Sequence, residues 1–358
     1  MIVVLLGALT VLAALVCAAL AYRAFRQHLN ASAFAIRSRS GIDEALFVRI
    51  GGIDQCVQIR GEDRANPVVL VLHGGMALSY MAFTPVFQPW EKHLTVVQWD
   101  RRGVGKTFRR NRRKGHGEMS LERVVLDGIE LAEWLRKRLQ KDKLILLGHS
   151  MGSIVGVAMA QRRPDLFDAY VGTEQVVTMA RNEGKSFEMM LAKLRAAGDE
   201  KNVGVLERIG PPPYANARAW GAKQQQMGKV DAAYRRAARR TIPSMLLFSP
   251  AYSLRDLFDF IAGNQFSGEH LFADWMAFDA TKLGNRFETP VLIIQGEADV
   301  MTPTALVEEW FTSIEAPKKT FVAIESGGHL TMFTMPGLFL EKLVAILRPV
   351  VATTAVGG

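Results

Sequence analysis

The chain is poor in residues that would build a stapled or metal-bound domain. Two cysteines, Cys17 and Cys56, occur in 358 residues, and Cys17 lies inside an apolar run. An internal disulfide framework and a four-cysteine zinc site are therefore excluded. Seven histidines are scattered without a His-Glu-x-x-His spacing, which removes a zincin-type metal helix. Neither a metal nor a cofactor is implied. Internal repeats and long low-complexity tracts are absent. With 49% apolar and 22% charged residues, a disordered or fibrous chain is excluded as well. At roughly 100–200 residues per domain, the length fits two or three units, or one large α/β unit carrying an insertion.

Charge is missing altogether from Ile2 to Tyr22, where nearly every position is Val, Leu, Ala or Ile. As a helix those residues extend about 31 Å, the hydrocarbon thickness of a bilayer. A cleaved signal peptide is the competing reading, with Ala19-Leu20-Ala21 as its small-x-small site. The positively charged n-region is missing, however, and the run is long for an h-region. Arg23, Arg26, Arg37 and Arg39 follow the span. The positive-inside rule then keeps the bulk of the protein cytoplasmic, as a single-pass membrane protein. The net charge of +9 gathers in short clusters: Arg101-Arg102, Arg109 to Lys114, and Arg235-Arg236 with Arg239-Arg240. No nucleic-acid module accompanies them, and a basic face toward anionic lipid is the more economical reading.

After a transmembrane anchor (1–22) and a juxtamembrane joint (23–44), short strands alternate with helices. Leu46–Ile50, Gly51-Gly52 and Gln55–Arg60 read as a hairpin. Pro67–Leu72 is a continuous apolar run, as expected of a strand buried on both faces. Similar runs lie at Leu94–Trp99, Lys143–Leu147, Ala169–Gly172, Val291–Gln295 and Thr320–Ile324, and Leu121–Leu139 has helical periodicity. This alternation predicts a mostly parallel sheet covered on both sides. It is interrupted by a helical insertion over 176–289, so the core comprises 45–175 and 290–350. The small tail 351–358 is expected to fray.

Gly148-His149-Ser150-Met151-Gly152 follows a strand and opens a helix, the context a Gly-x-Ser-x-Gly nucleophile elbow requires. A serine needs a base to take its proton and a third group to orient that base. In this fold the order is Ser, acid, His. Asp299 lies in the loop after one strand and His329 in the loop after the last, 30 residues apart. Glu297 is the rival acid; Asp299 is preferred because it lies farther into the loop, directly before the next helix. His73-Gly74-Gly75 follows the strand ending at Leu72. Backbone amides of Gly75 and Met151 are the candidates for the oxyanion hole, with His73 structural. Gly105-Lys106-Thr107 mimics the end of a P-loop, but Asp100 stands where that motif needs glycine.

This set, with Trp99-Asp100-Arg101-Arg102-Gly103-Val104-Gly105, resembles the α/β-hydrolases, and within them the proline iminopeptidase group of serine peptidases. The likeness covers residues 45–350, least in the cap. It implies an eight-stranded α/β-hydrolase fold with a helical cap, a buried turn at Asp100–Gly105, and cap glutamates that hold a peptide's free amine. Glu269 and Glu174 are the candidates for that role. Phe258, Phe260, Phe266, Phe272, Trp275 and Phe278 could line an apolar pocket or form the cap's own core. Two departures stand out. The family's His-Gly-Gly-Pro-Gly becomes His73-Gly74-Gly75-Met76-Ala77, and its usual Gln after the Asp is Arg101. The expected activity is a serine hydrolase using Ser150, His329 and Asp299, of aminopeptidase type on short peptides. A carboxylesterase on small or lipid-derived esters is the main alternative, and a silent binding protein on the same fold is a third.

Overall fold

The computed structural model describes residues 1–354. Eight strands form one sheet in the order β1-β2-β4-β3-β5-β6-β7-β8. They are β1 (Ile42–Ile50), β2 (Ile53–Gly61), β3 (Val68–Leu72), β4 (Thr95–Asp100), β5 (Leu144–His149), β6 (Phe167–Thr173), β7 (Val291–Gly296) and β8 (Lys319–Ile324). β1 pairs with β2 and β2 with β4 antiparallel, and all other pairs are parallel. This is the mostly parallel sheet anticipated from the alternating pattern, in the α/β-hydrolase architecture that the resemblance implies.

The strand period of two divides the interior into two layers. Leu70, Leu72, Leu144 and Leu146 enter one core with Trp99, Ile154 and Tyr170. Their alternates Val69, Val71, Ile145 and Leu147 enter the other with Trp90, Phe333 and Phe339. Both faces are covered by helices, so the central strands are apolar at every position. The edge strand β1 instead alternates between buried and exposed residues.

Between β6 and β7 the chain is helical, with principal helices Met179–Ala196, Glu200–Ile209, Ala217–Gln224, Ile242–Phe248 and Leu254–Ala277. The last begins at a capping box: Ser253 Oγ accepts from the Asp256 amide, and the Asp256 carboxylate accepts from the Ser253 amide.

The two chain ends differ from expectation. One helix, Ile2–Ala33, runs 11 residues past Tyr22 and absorbs much of the expected polar joint. Arg23, Gln27 and Asn30 recur on one of its faces and clasp the cap. Arg23 donates to Tyr252 O (2.7 Å), Gln27 to Ser249 O (2.6 Å) and Tyr252 O (2.8 Å), and Asn30 to Phe248 O (2.9 Å). The portion Val4–Ala33 is long and apolar enough to cross a membrane and lies near the N-terminus, a property shared by signal sequences. At the other end the final helix spans Pro336–Thr354 rather than fraying at residue 351. Residues 355–358 of the expected tail lie outside those described.

Candidate active site

Ser150 sits between β5 and the helix Met151–Arg162 with φ 52° and ψ −123°, a left-handed conformation that costs a non-glycine residue energy. The flanking glycines make the turn possible. A Cβ on Gly152 would meet Leu72 O at 2.1 Å, and one on Gly148 would meet Ser153 Cα at 2.7 Å. The Ser150 amide donates to Thr173 O (3.0 Å), tying the elbow to the end of β6.

His329 Nε2 lies 2.9 Å from Ser150 Oγ, and His329 Nδ1 lies 2.9 Å from Asp299 Oδ2. Asp299 is buried and held by its own loop. Its Oδ1 accepts from the Met301 (2.7 Å) and Thr302 (3.0 Å) amides, and its Oδ2 accepts from Thr302 Oγ1 (2.5 Å). Glu297 is exposed. The two carboxylates that were rivals in the sequence are therefore separated by two residues of backbone and by opposite environments.

Gly75 and Met151 flank Ser150 at the wall of a cavity of about 230 Å³. Gly75 has φ 64°, in the region where glycine carries no steric penalty. His73 is buried, and its ring Nδ1 lies 3.0 Å from Gly74 O. Burial and the nearby Arg101 guanidinium hold its imidazole well below the usual histidine range, hence uncharged.

The two departures from the iminopeptidase pattern meet in space. Arg101 is buried and donates to His73 O (3.0 Å), Gly75 O (3.1 Å) and Met76 O (2.9 Å), with its guanidinium 5.3 Å from the Trp275 ring centroid. One fork of donors thus fixes three carbonyls of the loop. From the cap, Asn264 Oδ1 accepts from the Ala77 amide (3.1 Å). The Asp100–Gly105 turn is buried as expected: Asp100 Oδ2 accepts from the Lys106 amide, and a Cβ on Gly105 would meet that carboxylate at 2.4 Å.

Beneath the elbow, His149 Nδ1 lies 2.6 Å from Tyr80 Oη, which itself accepts from the Gly74 amide (3.1 Å). Its Nε2 faces His329 O (3.3 Å) and Glu174 Oε2 (3.4 Å). Burial, reinforced by the adjacent His329, pushes His149 down to about 3. Burial, together with the Asp299 charge, pushes the Glu174 carboxyl well above its usual range. This layer is a neutral plug joining the oxyanion loop to the histidine loop.

Neither expected amine ligand faces the cavity. Glu174 is wholly buried under the elbow, and Glu269 is exposed, accepting from Gln265 (2.8 Å) one helical turn away. The carboxylate that lines the cavity is Glu183 of the helix Met179–Ala196. Its Oε2 pairs with buried Lys223 (2.9 Å), whose ammonium also donates to Ser186 Oγ (2.6 Å). No hydrogen bond reaches Glu183 Oε1 among the described residues. Gln224 beside it has neither amide atom partnered there. The expected aromatic lining is likewise replaced. Phe266 packs on Phe108 and His116, Trp275 lies in the core and Phe258 is exposed, while Trp220 and Tyr234 line the cavity.

Residues 68–342 match the model of the alpha/beta hydrolase family. The chain belongs to that family. YbaC of Bacillus subtilis, named a probable aminopeptidase, is 29% identical over 307 residues, covering 82% of this chain and 93% of its own. A protein of Agrobacterium fabrum named as a proposed carbamate hydrolase, RutD, is 21% identical over 293 residues, covering 82% and 97%. A proline iminopeptidase of Thermoplasma volcanium is 23% identical over 294 residues, covering 80% and 90%. Among solved structures, a bacterial membrane phospholipase A aligns with a TM-score of 0.62 at 15% identity, over 98% of this chain and 99% of its own. That last likeness is one of fold. This member of the alpha/beta hydrolase family therefore resembles the proline iminopeptidase group, as its motifs led one to expect.

Proposed function

We propose that the chain is a serine hydrolase in which Ser150 is the nucleophile, His329 the base and Asp299 the group that orients and charges-balances the imidazole. The observation carrying this is the unbroken series Ser150 Oγ–His329–Asp299 with both contacts at 2.9 Å. Ser150 Oγ attacks a carbonyl carbon as its proton passes to His329 Nε2. The tetrahedral oxygen is received by the Gly75 and Met151 amides, held in place by Arg101 and by the helix that starts at Met151. His329 then gives its proton to the leaving group, and water, deprotonated by the same imidazole, releases the acyl group from Ser150. This route needs neither metal nor cofactor.

The preferred substrate is a short peptide with a free N-terminus. Glu183 takes the place first given to Glu174 and Glu269: it lines the cavity, its Oε1 accepts no hydrogen bond among the described residues, and YbaC carries an aminopeptidase name. A hydrogen bond to a charged group contributes roughly 1.5–3 kcal/mol, about ten- to a hundredfold in kcat/KM. Glu183→Gln is expected to lower turnover of aminoacyl-arylamides, prolyl included, by that factor relative to N-blocked esters. Glu269→Gln leaves the ratio unchanged. Equal losses on both substrate types in Glu183→Gln would set the peptide reading aside. A carboxylesterase on small or lipid-derived esters is the second reading. It is favoured by Lys223, which already balances Glu183, and by the mainly apolar wall of Met76, Leu78, Val176 and Met179. The N-terminal helix is taken as a retained anchor, with the hydrolase on the cytoplasmic side because arginines follow the span.

A further inference from the structure

Outside the N-terminal helix, six large apolar side chains are exposed among the described residues: Phe47, Leu126, Leu247, Leu254, Phe258 and Ile261. Four of the six fall within 15 residues of the cap. Leu254, Phe258 and Ile261 are spaced four and three apart in one helix and so share a face. Phe258 is 73% and Ile261 67% exposed, values that a solvated helix has no reason to maintain side by side. Farther along the same helix the exposed positions are Asn264, Gln265, Glu269, His270, Ala273 and Ala277, none of them large and apolar, so the apolar ridge is confined to its first third.

That third adjoins the N-terminal helix. Tyr252 and Phe248, whose carbonyls receive Arg23, Gln27 and Asn30, lie immediately before Leu254. The Tyr22 and Phe248 rings meet edge-on at 5.7 Å, and Arg26 lies 4.9 Å over Phe248. The clasp is thus made at the turn where the uncharged run ends. Just upstream in the cap, Arg235, Arg236, Arg239 and Arg240 are exposed and line one concavity. None of the four forms an ion pair with an acidic side chain among the described residues. Tyr234, one residue before them, lines the active-site cavity.

We propose that this face of the cap rests on the surface of the same bilayer that the N-terminal helix enters. Leu247, Leu254, Phe258 and Ile261 dip among the acyl chains near the headgroups, and the four arginines meet anionic phosphates. Exposed apolar and arginine side chains carried by one cap are the composition of an interfacial surface, and anionic lipid supplies the complementary charge. The inference rests on the reading of the N-terminal helix as an anchor. It adds that the domain lies down on the membrane and that the Tyr234 wall of the cavity borders the lipid.

Nitroxide labelling of the full chain in lipid nanodiscs tests this. Cys17 is exposed on the N-terminal helix and reports on the anchor, whereas burial pushes the Cys56 thiol up to about 12 and leaves it unreactive. In a Cys17→Ser background, labels are placed through Phe258→Cys, Ile261→Cys and, on the helix Leu121–Leu139 of the sheet domain, Leu126→Cys. Contact with oxygen is expected to exceed contact with a water-soluble nickel chelate at 258 and 261, with the reverse at 126. Replacing the four arginines by Gln should lower the oxygen-to-nickel ratio at 258 in phosphatidylglycerol nanodiscs and leave it unchanged in phosphatidylcholine. If 258 and 261 behave like 126 while Cys17 reports acyl chains, the cap proposal fails and the anchor stands. If Cys17 itself behaves like 126, the anchor reading falls and the proposal with it. Spin–spin broadening at 258 that disappears on dilution with unlabelled protein would mean that a second copy covers the ridge, which also overturns the proposal.

Discussion

The sheet and the cap hold their parts of the site by different means. In the sheet, Ser150, Asp299 and His329 each stand on a loop just beyond a parallel strand, and backbone amides hold the first two: the Ser150 amide donates to Thr173 O, and the Met301 and Thr302 amides donate to the Asp299 carboxylate. In the cap, the far wall of the cavity is arranged by side chains reaching one another across 40 residues of sequence, Glu183 to Lys223. The proposed reaction is thus placed on the half whose loops are held by backbone amides. Selection of a substrate is left to the half where a single substitution can redraw the wall.

The sharpest way to divide the two is Ser150→Ala. It is expected to reduce kcat by about 10⁴–10⁶ on every substrate while the melting temperature and circular dichroism stay close to the parent. A fluorophosphonate probe should label the parent and miss the variant; labelling that persists would place the nucleophile elsewhere.

Lys223→Met attacks the cap alone. It leaves Glu183 buried without its cation, and removing one partner of a buried pair costs about 3–5 kcal/mol. Thermal unfolding should show the loss, Glu183→Gln/Lys223→Met should recover most of it, and Ser150 should remain reactive toward the probe in both. Loss of probe reactivity with the pair would mean that cap and triad are not separable.

Glu174→Gln probes the neutral layer under the elbow and has the smallest expected effect. The folded protein keeps this carboxyl protonated where the unfolded chain releases its proton near 4.5, so folding holds on to a proton and stability falls as pH rises above that value. The glutamine cannot ionise, and the variant should melt higher than the parent at pH 7, with the difference shrinking toward pH 4. An unchanged or reversed difference would mean that Glu174 is ionised in place.

The sequence makes the catalytic half readable because a parallel sheet converts order into position: a strand, a loop, and a chemically active residue in that loop. The elbow, Asp299 and His329 follow from that rule. No comparable rule governs the cap. Glu269 lies near aromatic residues in sequence, yet helical rotation turns it outward to Gln265. Glu183 has no local sign of its place on the cavity wall, since its partner Lys223 lies 40 residues away. Glu174 follows β6 directly, and what removes it from the cavity is depth beneath the elbow, which a linear pattern does not encode. Arg23, Gln27 and Asn30 read as a polar joint because their seven-residue span is equally that of a loop and of two helical turns. Only the cap carbonyls they meet distinguish the two.

Those carbonyls have a mechanical consequence. A domain on a flexible linker tumbles independently of its anchor and samples every orientation. Here the helix continues unbroken to Ala33 and is bonded to the cap at three successive levels, so rotation about the joint would break several hydrogen bonds together. In any bilayer the helix crosses, it acts as a mast rather than a tether. Where it crosses one, the domain's heading would be set once, by the tilt of the helix, and its encounters with substrate would become a matter of drift in two dimensions at fixed aspect.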